Sequence, residues 1–100
     1  MKVRFLELAR QELDDTVAWY DAQVPGLGSE FLDEIDRAIG RIVAWPSSCE
    51  EIKPGIRRCL ISRFPYGLIY ADETEAIVIL AVAHLHRYPR YWTERTDEIS

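Results

Sequence analysis

The sequence predicts an α+β fold in which two helices pack on one face of an antiparallel sheet. Three observations lead to this fold class: a short strand-like segment opens the chain, two segments with helical periodicity follow it, and apolar runs separated by turn residues fill the second half. Two successive amphipathic helices must bury their apolar stripes, and one face of a sheet offers the area that they need. The predicted order is β-α-α-β-β-β, in a single domain covering residues 1–100.

The first half of the chain contains one short strand and two helices. Lys2–Leu6 alternates weakly and is rich in β-forming residues, which predicts a strand. Apolar residues then recur at helical spacing, and the acidic residues between them, Glu12 included, are assigned to other faces of the helix. After the turn-forming stretch VPGLGS, a wide apolar stripe predicts a second helix from Leu27 to about Trp45. The stretch WPSSCEEIKPG ends this helix, because its prolines break regular structure.

The second half of the chain is predicted as three strands. They are IRRCLISRF (residues 56–64), GLIYAD (residues 67–72) and IVILAVAH (residues 77–84). Short connections between them predict an antiparallel meander, with the first strand of the chain joining an edge. The last run is apolar on both parities, so we expect a central strand that is covered on both faces. The polar tail TERTDEIS is expected to fray.

Charge and composition limit the classes of function. The net charge is −5; residues 1–55 contain eleven acids against six bases, whereas residues 56–100 contain six of each. This balance argues against a general nucleic-acid binder and leaves room for a small basic surface on the second half. No apolar run approaches the length that a membrane span needs, and two cysteines are too few for a secreted disulfide scaffold. We therefore expect a cytoplasmic protein.

Motifs for metal ions and cofactors find little support in the sequence. His84 and His86 have the spacing of two ligands on one side of a strand, but neither cysteine is at a recognisable ligand spacing. No glycine-rich nucleotide motif is present. We expect neither a metal nor a cofactor.

The arginines of the second half are more informative. Arg57 and Arg58 are adjacent on a predicted strand and so point to opposite faces, and Arg63 shares the parity of Arg57. In a meander, Arg58, His84 and Arg87 can gather on one side of the sheet. Guanidinium groups beside tyrosines bind phosphates, carboxylates or stacked bases. The alternative is that each arginine pairs with an acid elsewhere or packs its stem over an aromatic ring, and the sequence leaves both open.

Three stretches resemble the RelE/ParE superfamily of bacterial toxin–antitoxin toxins. They are AWYDAQVPGLGSEFLDEI, IRRCLISRFPYGLIY and IVILAVAHLHRYPRYW, and in this order they extend over nearly the whole chain. The resemblance implies the β-α-α-β-β-β core predicted above. It also implies a plasmid-stabilisation type of toxin that inhibits growth, with a cognate antitoxin that holds it inactive in a hetero-oligomer.

The superfamily has two branches with different activities. RelE-like members cleave mRNA on the ribosome without metal, using basic side chains and a C-terminal tyrosine, whereas ParE-like members act on DNA gyrase. When the sheets are aligned on the strand with the pattern aromatic-x-x-x-Tyr, Arg58 and Tyr91 match two of the positions that RelE-like members use to cleave mRNA. Leu60, Gly67 and Leu85 occupy three positions where the nucleases carry Lys or Arg, and these residues can neither transfer a proton nor neutralise a phosphorane. The resemblance therefore favours a ParE-like gyrase poison that is not itself an enzyme.

Two alternatives stay open at this point. One is a metal-independent, ribosome-dependent endoribonuclease with Arg58, His84, Arg87 and Tyr91 as its catalytic candidates. The other is an inactive, toxin-like module that only binds a partner. Further candidates for contacting a partner protein are Arg57, Arg63 and His86.

Overall fold

The computed structural model describes residues 2–99 and confirms the α+β fold class. In chain order, its elements are β1 (Lys2–Phe5), α1 (Glu7–Gln23), α2 (Leu27–Ala44), β2 (Glu50–Lys53), β3 (Ile56–Leu60), β4 (Tyr66–Asp72), β5 (Ala76–His84) and a final 3₁₀ helix (Thr93–Glu98). Both α-helices pack against one sheet, with α1 on β5 and α2 on β3. The tail predicted to fray is instead largely taken up by the 3₁₀ helix. Neither α-helix within residues 2–99 is long and apolar enough to cross a bilayer.

The sheet has five strands in the order β1-β5-β4-β3-β2. The last three strands of the chain form the predicted antiparallel meander, and β2 adds to it in antiparallel orientation. Strand β1 occupies an edge as expected, but it runs parallel to β5, so the sheet is mixed. The additional strand, β2, lies within the segment that was predicted as a break. Its sequence, EEIK, lacks the alternation of a strand, and β2 forms because it pairs with β3, where the side chain of Glu50 forms a salt bridge with Arg58.

Strand β3 ends four residues earlier than predicted. Ile61 donates its backbone N–H to Tyr66 O at 3.1 Å, which closes a tight connection to β4. Within this connection Arg63 has a φ of 73°, in the left-handed region that a strand cannot use. Arg63 therefore does not share a sheet face with Arg57, and that part of the prediction was wrong.

Strand β5 forms the centre of the core. Its residues Ile77 to Ala83 are all buried, which confirms the prediction of a central strand covered on both faces. On the helix side, α2 contributes Phe31 and Ile35, each at most 1% exposed. Trp92, beyond the end of β5, is only 3% exposed and belongs to the same core.

Candidate functional site

A cleft of about 270 Å³ lies at the carboxyl end of β5 and extends over neighbouring β3 and β4. It is lined by all four residues that the sequence singled out as catalytic candidates, Arg58, His84, Arg87 and Tyr91. With Arg90, three guanidiniums and one imidazole line the cleft, and none of its lining residues within the described part of the chain is acidic. In a chain of net charge −5, this is a local concentration of positive charge.

Arg58 reaches the cleft from β3. Its Nη2 donates to Glu50 Oε1 at 2.8 Å, and its Nε is buried without a hydrogen-bond partner in residues 2–99. The stem of Arg58 crosses Gly67, where an added Cβ would lie 3.2 Å from Arg58 Cγ. The glycine at a position where the family resemblance implies a basic residue thus provides space for the arginine of the neighbouring strand.

His84 is the last residue of β5, and two contacts fix its ring. The ring packs edge-on against Tyr66, with centroids 5.0 Å apart at 79°. Its Nδ1 accepts the backbone N–H of His86 at 3.0 Å, which places the proton of the neutral imidazole on Nε2. The His86 side chain itself is exposed, and its ring centroid lies 5.4 Å from that of His84.

Arg87 and Tyr91 form one wall of the cleft, and both contact Glu12 of α1, which lies outside the cleft lining. The Arg87 guanidinium lies 3.7 Å from the centroid of the Tyr91 ring, and its Nη1 lies 3.6 Å from Glu12 Oε2. The Tyr91 hydroxyl donates to Glu12 Oε2 at 2.8 Å. Burial raises the pKa of Tyr91 well above 10.0; the carboxylate of Glu12 adds to this rise, while Arg87 and Arg95 oppose it. The phenol is therefore a hydrogen-bond donor that stays protonated.

The Glu12 carboxylate is the centre of this network. Besides Tyr91, it accepts the N–H of Val82 at 3.0 Å and two guanidinium N–H groups of Arg95 at 2.9 and 3.0 Å. Arg95 also donates to Leu80 O at 3.0 Å. The side chains of Glu12 and Arg95 are only 15% and 11% exposed. The placement of Glu12 away from the buried side of the helix was therefore wrong.

A β-bulge explains why a carboxylate is needed here. Ile69 pairs with Ala81 and Tyr70 with Ile79, so Leu80 is an extra residue in β5. The neighbouring strand β1 ends opposite Ile79, and β5 continues without it. Glu12 and Arg95 take over the pairing of the missing strand, because they satisfy the carbonyl of the bulge residue Leu80 and the N–H of Val82 beyond it.

One signal in the sequence could have identified Glu12. It lies three residues after Ala9 and next to Leu13, both buried, so it borders the buried stripe of α1. Its partners could not have been found in the same way, since Tyr91 and Arg95 lie 79 and 83 residues further along the chain.

Arg57 and Arg63 do not line the cleft. Arg57 donates from Nη1 to Ser47 O at 3.2 Å and to Cys49 O at 2.7 Å, so it supports the segment that follows α2. Arg63 pairs with Glu30 and lies 3.8 Å from Glu34, which ties the β3–β4 connection to α2. Both arginines are thus bonded to other groups of the same chain.

A second depression, of about 400 Å³, adjoins the cleft along α1. Trp19, Tyr20 and Tyr66 form its apolar part, and His84 lines both depressions. Trp19 is 59% exposed. Within residues 2–99, no group of three or more His, Cys, Asp or Glu side chains is placed to bind a metal ion.

Comparisons with known proteins agree with this architecture. A family model described as "ParE toxin of type II toxin-antitoxin system, parDE" matches residues 3–88. Among solved structures, a chain of the "Chromosomal ParDE TA system from P. aeruginosa" is similar, with a TM-score of 0.74 and 19% sequence identity over 86% of this chain and 97% of that chain. No curated protein sequence matches significantly.

Proposed function

Because the chain belongs to the ParE toxin family of type II toxin–antitoxin systems, we propose that it stops bacterial growth by binding a target protein, and that this target is DNA gyrase. In this proposal the toxin works in the cytoplasm through a protein–protein contact and is not itself an enzyme. A cognate antitoxin neutralises it by forming a hetero-oligomer with it.

The observation that carries this proposal is the hydrogen bond from Tyr91 to Glu12. A nuclease needs a group that can gain or lose a proton at the scissile phosphate. The Tyr91 hydroxyl instead donates to the carboxylate of Glu12. Burial raises the pKa of Tyr91 so far that the phenol stays protonated at neutral pH and cannot accept a proton. Arg87 and Arg95 are drawn to the same carboxylate. These contacts thus hold the side chains of the cleft wall in a fixed arrangement.

The cleft also has the composition of a protein-binding surface. Leu60 is 52% exposed, Leu85 is 43% exposed and Tyr88 is 79% exposed, and the last two line the cleft beside its arginines. Exposed aromatic and arginine side chains are the residue types that dominate protein–protein binding energy. A negatively charged partner segment with apolar side chains would complement this surface.

An assay of DNA supercoiling by purified gyrase tests the target. We expect the wild-type chain to block supercoiling at micromolar concentration and Arg87→Ala to need at least about tenfold more protein, which corresponds to the loss of one good interface contact. Arg37→Ala, which removes an exposed arginine of α2 outside the cleft, is the matched control and should act like the wild type. Normal supercoiling with the wild-type chain would reject gyrase as the target.

Co-expression tests the antitoxin. A toxin of this type is expected to arrest growth when it is induced alone and to be harmless when the adjacent reading frame is induced with it, and the two products should purify together. Harmless expression of the chain on its own would instead favour the inactive binding module.

The gathering of Arg58, His84, Arg87 and Tyr91 in one cleft supports a second candidate function, ribosome-dependent mRNA cleavage. Mapping of mRNA 5′ ends soon after induction would then reveal cuts within codons, which His84→Ala and Tyr91→Phe would abolish. Intact transcripts in growth-arrested cells would eliminate this candidate.

A further inference from the structure

The two cysteines of the chain lie on neighbouring segments of the sheet edge. Cys59 is in β3 and is 4% exposed, whereas Cys49 directly precedes β2 and is partly exposed. Glu50 pairs with Arg58 in the antiparallel ladder, and one more step in the same register places Cys49 opposite Cys59. The two side chains are close enough for Cys49 to contribute to the raised pKa of Cys59, after burial as the main cause.

This placement meets the requirements of a disulfide. Opposite residues of an antiparallel pair have Cα atoms roughly 4.5–5.5 Å apart, within the range of about 4.4–6.8 Å that a disulfide spans. The backbone around Cys49 is also held in place. Cys49 O accepts from Arg57 at 2.7 Å, and the preceding Pro46 O accepts the Tyr70 hydroxyl at 2.6 Å. The register of the two segments is therefore compatible with a disulfide between Cys49 and Cys59.

We propose that Cys49 and Cys59 are a redox-active dithiol that a small-molecule disulfide oxidises to an intramolecular disulfide. The Cys49 thiolate attacks one sulfur of the small disulfide, forms a mixed disulfide and releases one small thiolate. The Cys59 thiolate then attacks the Cys49 sulfur, closes the bond and releases the second small thiolate. The protein loses two protons and two electrons, and the small disulfide is reduced to two thiols.

The second step depends on deprotonation of Cys59. Burial raises the pKa of Cys59 to about 11, and the neighbouring Cys49 adds to the rise. Arg41 opposes it, since its Nη2 lies 3.9 Å from the Cys59 sulfur and stabilises the thiolate. We therefore expect closure of the bond to accelerate as the pH rises.

The disulfide would stiffen one side of the cleft. Strand β2 is the exposed edge strand, and it carries Glu50, the ion-pair partner of Arg58, and Ile52, whose carbonyl accepts from Arg90 at 3.2 Å. A covalent bond from Cys49 to β3 anchors the chain at the residue that directly precedes β2. The oxidised and reduced forms thus differ in how firmly the arginines of the cleft are held, whichever target the cleft serves.

The test uses the full chain and glutathione disulfide, with alkylation of free thiols and intact-mass measurement over time. We expect a transient glutathione adduct, then a species lighter than the reduced chain by two hydrogen atoms that no longer reacts with the alkylating reagent, and full reversal by dithiothreitol. Peptide mapping should join Cys49 to Cys59. A persistent adduct, a disulfide between two chains or two thiols that stay free would each overturn the proposal.

Two variants distinguish the proposed thiol–disulfide exchange from simple reaction of an exposed thiol. Cys49→Ser should leave Cys59 unreactive in the folded chain, because Cys59 is buried. Arg41→Gln should leave formation of the adduct unchanged and slow its closure several-fold, since it removes the cation beside Cys59. Rapid labelling of Cys59 in folded Cys49→Ser, or an unchanged rate of closure in Arg41→Gln, would contradict the assigned roles.

Discussion

At the scale of single residues, the Glu12 carboxylate connects parts of the molecule that lie far apart in sequence. It joins α1 to the bulge of β5 through the Val82 N–H, and to the C-terminal segment through Tyr91 and Arg95. A nearly buried carboxylate is tolerable because each of its oxygens has donors, two of them on a guanidinium. If the carboxylate is lost, the guanidinium and the backbone N–H remain buried without it.

Glu12→Gln should therefore destabilise the fold although it preserves shape. It removes the counter-charge of Arg95, and breaking such a pair from one side costs about 3 kcal/mol in free energy of unfolding. Urea denaturation followed by circular dichroism measures this change. Asp14→Asn, on the exposed side of the same helix, is the control and should change stability by less than about 0.5 kcal/mol. Equal effects of the two substitutions would show that the network does not hold the C-terminal segment.

The residues of the cleft were partly accessible from the sequence. Strand parity and the meander were sufficient to bring Arg58, His84 and Arg87 together, because these depend on local order along the chain. The sequence did not reveal which group each charged side chain would contact. Whether Arg87 meets a partner or Glu12 depends on a helix that lies about 75 residues away, and no local pattern encodes that distance.

At the scale of elements, the differences between prediction and structure have the same kind of cause. Strand β2 carries no strand pattern of its own and is specified by the β3 residues opposite it, where Arg58 meets Glu50. The strand-like sequence pattern of β3 continues beyond Leu60, yet the strand ends there and the backbone turns at Arg63. Long, strongly patterned elements such as β5 and α2 were predicted closely, because burial of their apolar residues alone specifies them.

The approach of α1 to α2 depends on Gly28, and Gly28→Ala tests it. A Cβ at this position would lie 2.4 Å from the carbonyl oxygen of Val17 and 2.8 Å from Asp21 Oδ1, the acceptor of the Gly28 N–H. The first of these atoms belongs to the backbone, so the helices must separate. We expect a loss of about 2 kcal/mol in free energy of unfolding, the middle of the range for overpacking.

Gly40→Ala is the matched control for Gly28→Ala. Gly40 also lies in α2, but apart from its chain neighbours and the adjacent backbone of its own helix, no atom of the described residues comes within 4 Å of its added Cβ. The higher helix propensity of alanine should then stabilise the chain by up to about 1 kcal/mol. Thermal unfolding of the two variants should give shifts of opposite sign, and a shift in the same direction would contradict a close helix contact at Gly28.

At the scale of the whole molecule, charge is segregated. The acidic first half provides both α-helices, while the cleft takes its arginines from β3 and the segment after β5. The sequence predicted this division because it follows chain halves. It could not predict that β1, which belongs to the acidic half, would run parallel to β5, since a parallel edge strand depends on the path of α1 and α2 across the sheet.

Stability of the whole chain should fall in alkaline solution, because the thiol of Cys59 and the phenols of Tyr70 and Tyr91 resist losing their protons in the folded chain. Burial raises the pKa of Cys59 from 9.0 to about 11 and raises the pKa values of Tyr70 and Tyr91 well above 10.0. The folded chain thus holds these protons more tightly than the unfolded chain does. Their contribution is complete below pH 9.0 and is lost as the pH rises toward the folded values, by at most about 1.4 kcal/mol per pH unit for each group.

Urea denaturation at constant ionic strength, at neutral pH and at steps between pH 9.0 and 11, measures this loss. Tyr91→Phe removes one of the titrating groups, so it should be less stable at neutral pH, where it lacks the hydrogen bond to Glu12, and should lose less stability in alkali than the wild type. A free energy of unfolding that stays constant or rises over this interval would mean that these groups are as open to solvent in the folded chain as in the unfolded one. The same slopes for the wild type and Tyr91→Phe would remove Tyr91 from the buried set and, with it, the reason for treating its phenol as a fixed donor in the cleft wall.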